Sequence, residues 1–119
     1  MTEREAGAAE AEAQISKELS RVHEESYGVG AGRIVTHVLD DMVVVMMDVE
    51  LTPAERTLID AERGEAVRQT RESYQGAIEP TFRAVVERAT GRRVDAFVSH
   101  MNVEPLFAVE LFRLGEKSA

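Results

Sequence analysis

Six consecutive apolar residues, Met42, Val43, Val44, Val45, Met46 and Met47, leave this chain few ways to fold. The run is far short of the ~18 residues that a bilayer-spanning helix needs, and its three successive valines favour extended backbone. A β-strand points alternate side chains to opposite faces. A strand with one face in water should therefore alternate apolar and polar residues, and one that is apolar throughout needs cover on both faces. In a small domain, helices of the same chain cover one face. The second face calls for another subunit. The sequence thus predicts a homo-oligomer, with a dimer favoured, and makes Met42 to Met47 the candidate oligomer or partner interface.

The flanking residues supply the rest of the architecture. Arg33 to Leu39 is a second β-branched run, and Asp40-Asp41 between the two makes a tight turn, so 33–49 reads as a β-hairpin. Upstream, Ile15, Leu19 and Val22 recur at helical spacing with charges on the opposite side. Gly28, Gly30 and Gly32 end that helix near Tyr27. These glycines have neither the preceding strand nor the following lysine of a phosphate-binding loop. Residues 1–14, nearly all Ala, Glu and Gly, carry little apolar surface and are expected to be a frayed or disordered lead-in to one domain over 15–115.

After the hairpin, residues 51–55 (LTPAE) spell a helix start. Thr52 is placed to be the N-cap, Pro53 fits the first helical position, and Glu55 can return a bond to complete a capping box. A long helix follows Gly64, with Val67, Tyr74, Ile78, Phe82, Val85 and Ala89 along one stripe. Pro80 predicts a kink, and Thr90-Gly91 a stop. Two strands close the chain, one alternating Val94, Ala96 and Val98 with Asp95, Phe97 and Ser99, the other over Leu106 to Leu114, with a connection at about 100–105. The fold class is α+β: a two-layer sandwich in the order helix, hairpin, short helix, long kinked helix, hairpin, with a mostly antiparallel four-stranded sheet.

Little in this sequence points to catalysis. With no cysteine, disulfides, iron–sulfur clusters, thiolate zinc sites and a cysteine nucleophile are all excluded. The formal net charge of −8 argues against nucleic acid as a partner, because binding phosphates needs clustered Lys and Arg. The short apolar runs and the lack of a signal-peptide core predict a cytoplasmic protein that does not itself span a membrane. His23, His37 and His100 form no local metal pair, leaving only a site assembled in three dimensions from His37, His100 and a carboxylate. Ser99 and His100 are strand neighbours and point apart, so they make no nucleophile–base pair. Asp40 and Asp41 read as a turn rather than a cation site. Arg88, Arg92 and Arg93 gather at the end of the long helix and are weak candidates for an anion or an acidic partner. No catalytic, cofactor-binding or metal residue is assigned, and the chain is expected to be neither an enzyme nor cofactor-dependent.

The ordered combination of the Tyr27-Gly28 helix end, residues 38–55 (VLDDMVVVMMDVELTPAE), Gly64, Pro80 and residues 90–97 (TGRRVDAF) resembles the MpsC-like family over about 14–114. These are small bacterial domains named after a proposed Na+-translocating, membrane-potential-generating system. Residues 100–105 (HMNVEP) depart from the more acidic connection usual there. The resemblance implies an accessory component of membrane modules linked to cation flux or inorganic-carbon uptake, and brings no catalytic residues with it. Two readings follow. One is a non-enzymatic homo-oligomeric accessory or regulatory protein with a protein partner, such as a membrane transport complex. The other is a small-molecule or ion-binding sensor, with a pocket between helix and sheet or between subunits.

Overall fold

A computed structural model describes residues 1–117. The chain runs α1 (Glu3–Tyr27), β1 (Ile34–Leu39), β2 (Met42–Asp48), α2 (Pro53–Asp60), α3 (Gly64–Thr90), β3 (Arg92–Asn102) and β4 (Phe107–Lys117). All strand pairs are antiparallel, in the order β1-β2-β4-β3. The α+β class, the element order and the four-stranded sheet are those expected from the sequence.

The two long helices lie on one face of the sheet, α1 over β1 and α3 over β3. Ile15, Leu19 and Val22 of α1 and Phe82, Val85 and Val86 of α3 pack on Val43, Val45, Met47, Phe112 and Leu114 to form the core. Both helices stop at a left-handed glycine, Gly28 at φ 77° and Gly91 at φ 69°, whose N–H groups bond back to Glu24 and Glu87. A side chain at either position would be strained. Pro80 lies inside α3, which runs from Gly64 to Thr90 as one helix.

Three expectations need correction. The lead-in is helical: α1 starts at Glu3, capped by Thr2, whose hydroxyl accepts from the Glu5 N–H at 3.1 Å. Its early turns lie against the first hairpin. Ala11 is buried, Glu12 accepts from the Val38 N–H at 2.8 Å, and Arg4 pairs with Asp40 at 3.0 Å. High alanine content favours helix locally, and these bonds hold the segment in place. Secondly, the last hairpin is longer than read, with only residues 103–106 between its strands. Thirdly, register shifts between Arg92 and Ala96 reverse the alternation of β3. Val94 is buried, but beyond the irregularity Phe97, Ser99 and Met101 face the helices while Val98 is exposed. A bulge adds one residue and so swaps the faces of all that follow.

Candidate functional site

The capping box at Thr52 forms as read. The Thr52 hydroxyl accepts from the Glu55 N–H at 3.2 Å, and Glu55 Oε1 accepts from the Thr52 N–H at 2.9 Å. Its carboxylate also has a second partner. Arg71, on the inner side of α3 and only 6% exposed, grips Glu55 with both arms of its guanidinium, at 2.6 Å and 2.7 Å. The same guanidinium donates to the Glu50 carbonyl at 2.9 Å and to His23 Nε2 at 3.0 Å. His23 Nδ1 donates in turn to the Val29 carbonyl at 2.9 Å. The Tyr27 ring lies 4.1 Å from the guanidinium carbon. Arg71 therefore ties α3 to the end of α1 and to the start of α2 through one desolvated cluster.

The protonation states follow from this burial. Burial pushes the Glu55 carboxyl up, but hydrogen bonds from Arg71 and Thr52 outweigh it and hold the group below its ordinary range. Burial lowers His23, so it is a neutral imidazole that accepts at Nε2 and donates at Nδ1. Burial raises the Tyr27 phenol to about 12.

Beside this cluster, between α3 and the inner face of the sheet, lies a cavity of about 250 Å³. Arg71, Gln75 and Phe82 line it from α3, Met47 from β2, Phe97, Ser99 and Met101 from β3, and Glu110 from β4. Glu110 stands opposite Val45 on one side and Ser99 on the other, within the helix-covered layer. It is 2% exposed, and burial pushes its carboxyl up to about 8, against the pull of a Ser99 hydrogen bond. Two buried side-chain atoms on this cavity, Gln75 Nε2 and Glu110 Oε2, have no hydrogen-bond partner.

The sequence-level site residues separate into two groups. Val43, Val45 and Met47 are sealed in the core by the chain's own helices, at 0%, 0% and 2% exposure, and Met47 reaches the cavity wall. They are not available as an interface. Met42, Val44 and Met46 point to the other face, where no helix lies. Leu39, Met42, Met46 and Val98 are 54%, 40%, 51% and 58% exposed there, and strand register brings Val35, Val109 and Leu111 to the same side.

Among the arginines, Arg88 pairs with Glu18 at 3.1 Å. Arg92 is a brace for the first hairpin, donating to the Asp40 carbonyl at 2.6 Å and to Asp41 at 2.9 Å. Arg93 is exposed on β3. The three form no shared anion pocket. His37 and His100 sit on opposite edge strands, three strand spacings apart and two residues out of register. Among the described residues no group of three or more His, Asp or Glu could hold a metal ion.

Arg71 and Glu110 had a readable signal. Arg71 falls on the long helix's stripe, four residues after Val67 and three before Tyr74, where an apolar residue was due. Glu110 is the lone charge in residues 106–112 (LFAVELF). Gln75 carries no such mark.

The uncharacterized protein YbcI of Bacillus subtilis (strain 168) is 29% identical over 105 residues, covering 87% of this chain and 84% of its own length. No solved structure matches. The family described as "Na+-translocating membrane potential-generating system (MpsC)" matches residues 8–116, and the chain belongs to the MpsC family.

Proposed function

We propose that this chain is a non-enzymatic, homo-oligomeric accessory protein of a membrane cation-flux system. The observation that carries the oligomeric part is the open sheet face. Among the described residues, the large hydrophobics that remain exposed elsewhere are only Met1 and Tyr74, whereas Leu39, Met42, Met46 and Val98 share this one surface. Contiguous exposed apolar area of this kind marks an interaction surface. The occupant is a second copy of the chain: a two-fold interface matches a patch to itself, and the patch is apolar at its centre, with Asp48 at one end of β2 and, at the other, Arg113 paired to Asp95 at 3.6 Å. The membrane setting is supported by the family's description, and no helix among the described residues is long and apolar enough to cross a membrane. This chain would then act from the cytoplasmic side on partners that do span the bilayer.

Light scattering at micromolar concentration should return twice the monomer mass, and Met46→Glu combined with Val98→Glu should return the monomer with unchanged helical circular dichroism. A monomeric wild type would overturn the oligomeric reading. Cross-linking in host membranes should capture an integral transport protein; capture of soluble proteins alone would count against the membrane setting.

The cavity between α3 and the sheet favours a second reading, a small-molecule sensor. Its two unpartnered polar atoms are the supporting observation.

A further inference from the structure

We infer that the cavity between α3 and the sheet binds a small neutral molecule bearing a carboxamide or similar carbonyl, its oxygen held by Gln75 and Glu110 and its body lying against Phe82 and Phe97. The inference rests on the sensor reading and specifies its ligand.

Buried polar groups are almost always hydrogen-bonded, and leaving one unmade costs about 1–3 kcal/mol. Gln75 Nε2 and Glu110 Oε2 are the exceptions among the described residues, and both line this one cavity. The charges around it decide what they would accept. Arg71 is committed to Glu55, His23 and the Glu50 carbonyl. Glu79 is bonded to Arg83 at 2.9 Å, and Glu72 is paired with Arg68. No uncommitted cation awaits an anionic ligand, which would instead meet Glu110. An organic cation would require Glu110 to ionise where burial opposes ionisation.

At neutral pH Glu110 is therefore an O–H donor, and Gln75 Nε2 is an N–H donor. Two donors without acceptors, one on the α3 side of the cavity and one on the sheet side, call for an acceptor oxygen between them. A carboxamide also returns N–H groups to the remaining Glu110 oxygen or to Ser99. The Phe82 and Phe97 rings pack edge to face on each other, with centroids 6.4 Å apart, and together offer the apolar remainder one hydrophobic surface.

Benzamide, benzoate and benzylammonium share a ring and differ in charge, so they are the probes. Each is titrated into the 15N-labelled full-length protein at pH 7, following the Gln75 side-chain amide and the Gly76 and Ala108 backbone amides. Benzamide should give saturable shifts at these sites and bind at least tenfold more tightly than either charged probe. Gln75→Met, on a partly exposed helix position, should weaken it at least fivefold without altering the melting temperature by more than a few degrees.

Benzamide affinity should also fall as pH rises through about 8, where Glu110 ionises. The other titratable or charged groups facing Glu110 are His23 and Tyr27 on α1 and Arg71, Glu72 and Glu79 on α3; β2 and β3 contribute Met47 and Ser99. Burial holds His23 below that window and Tyr27 far above it, so the transition reports Glu110. Tighter binding of benzylammonium or benzoate would overturn the neutral-carbonyl assignment while leaving a ligand site. Affinity for benzamide that is flat with pH would remove Glu110 from it. Absence of saturable shifts from all three would overturn both the inference and the sensor reading, with water filling the cavity.

Discussion

Arg71 and Glu110 are both buried, and they respond to burial in opposite ways. Arg71 stays charged because Glu55 meets it with a bidentate carboxylate. Breaking such a pair from one side strands the other charge. Arg71→Met should therefore cost about 3–5 kcal/mol in urea denaturation at pH 7, and pairing it with Glu55→Gln should recover part of the loss. A double-variant loss equal to the sum of the two single losses would show that the pair is not coupled. Glu110 has no counter-charge and stays protonated instead. The native carboxyl keeps its proton up to about 8, whereas the unfolded one releases it near its ordinary value of 4.5. Stability from this group is full below pH 4.5 and is lost as pH rises towards 8. The advantage of Glu110→Gln over the wild type should grow between pH 5 and pH 8 by on the order of 3–5 kcal/mol. A constant difference across that range would mean Glu110 is ionised in the native state.

At the level of elements, most of the fold was legible because each helix and strand carries its own local signal. The stripe on α3, the glycines after α1 and α3, and the cap of α2 are all written within a few residues of where they act. Thr52→Ala should cost about 1 kcal/mol in thermal denaturation. Glu55→Gln should cost clearly more, because Glu55 serves both the cap and Arg71. Equal costs would reduce Glu55 to a capping residue. What could not be read locally were the relations between elements. The faces of β3 depend on a bulge set by its pairing with β4. The length of α1 depends on Glu12 and Arg4 finding β1 and the hairpin turn. The cavity depends on three strands and two helices meeting, and neither Gln75 nor Ser99 is distinguished by its neighbours in sequence. Even the apolar run of β2 was half legible: cover was needed on both faces, but only register shows which residues the chain covers itself.

For the molecule as a whole, net charge and the open face oppose each other. Two copies at −8 each repel, while the surface proposed to join them is mainly apolar. Salt screens the repulsion, shortening its range from about 8 Å at physiological ionic strength to about 3 Å at 1 M. Dimer dissociation measured by sedimentation equilibrium should therefore tighten as salt rises. Loosening would point to an interface held by ion pairs. The strand order β1-β2-β4-β3 has a further consequence. The chain consists of two helix–hairpin halves, α1-β1-β2 and α3-β3-β4, facing each other across a seam where β2 meets β4. Each half closes its own hairpin from neighbouring sequence, and that seam alone joins the halves of the sheet. The protein is thus naturally divisible: severed in the exposed link between Ala61 and Arg63, it should yield two fragments that recognise each other by zipping β2 to β4.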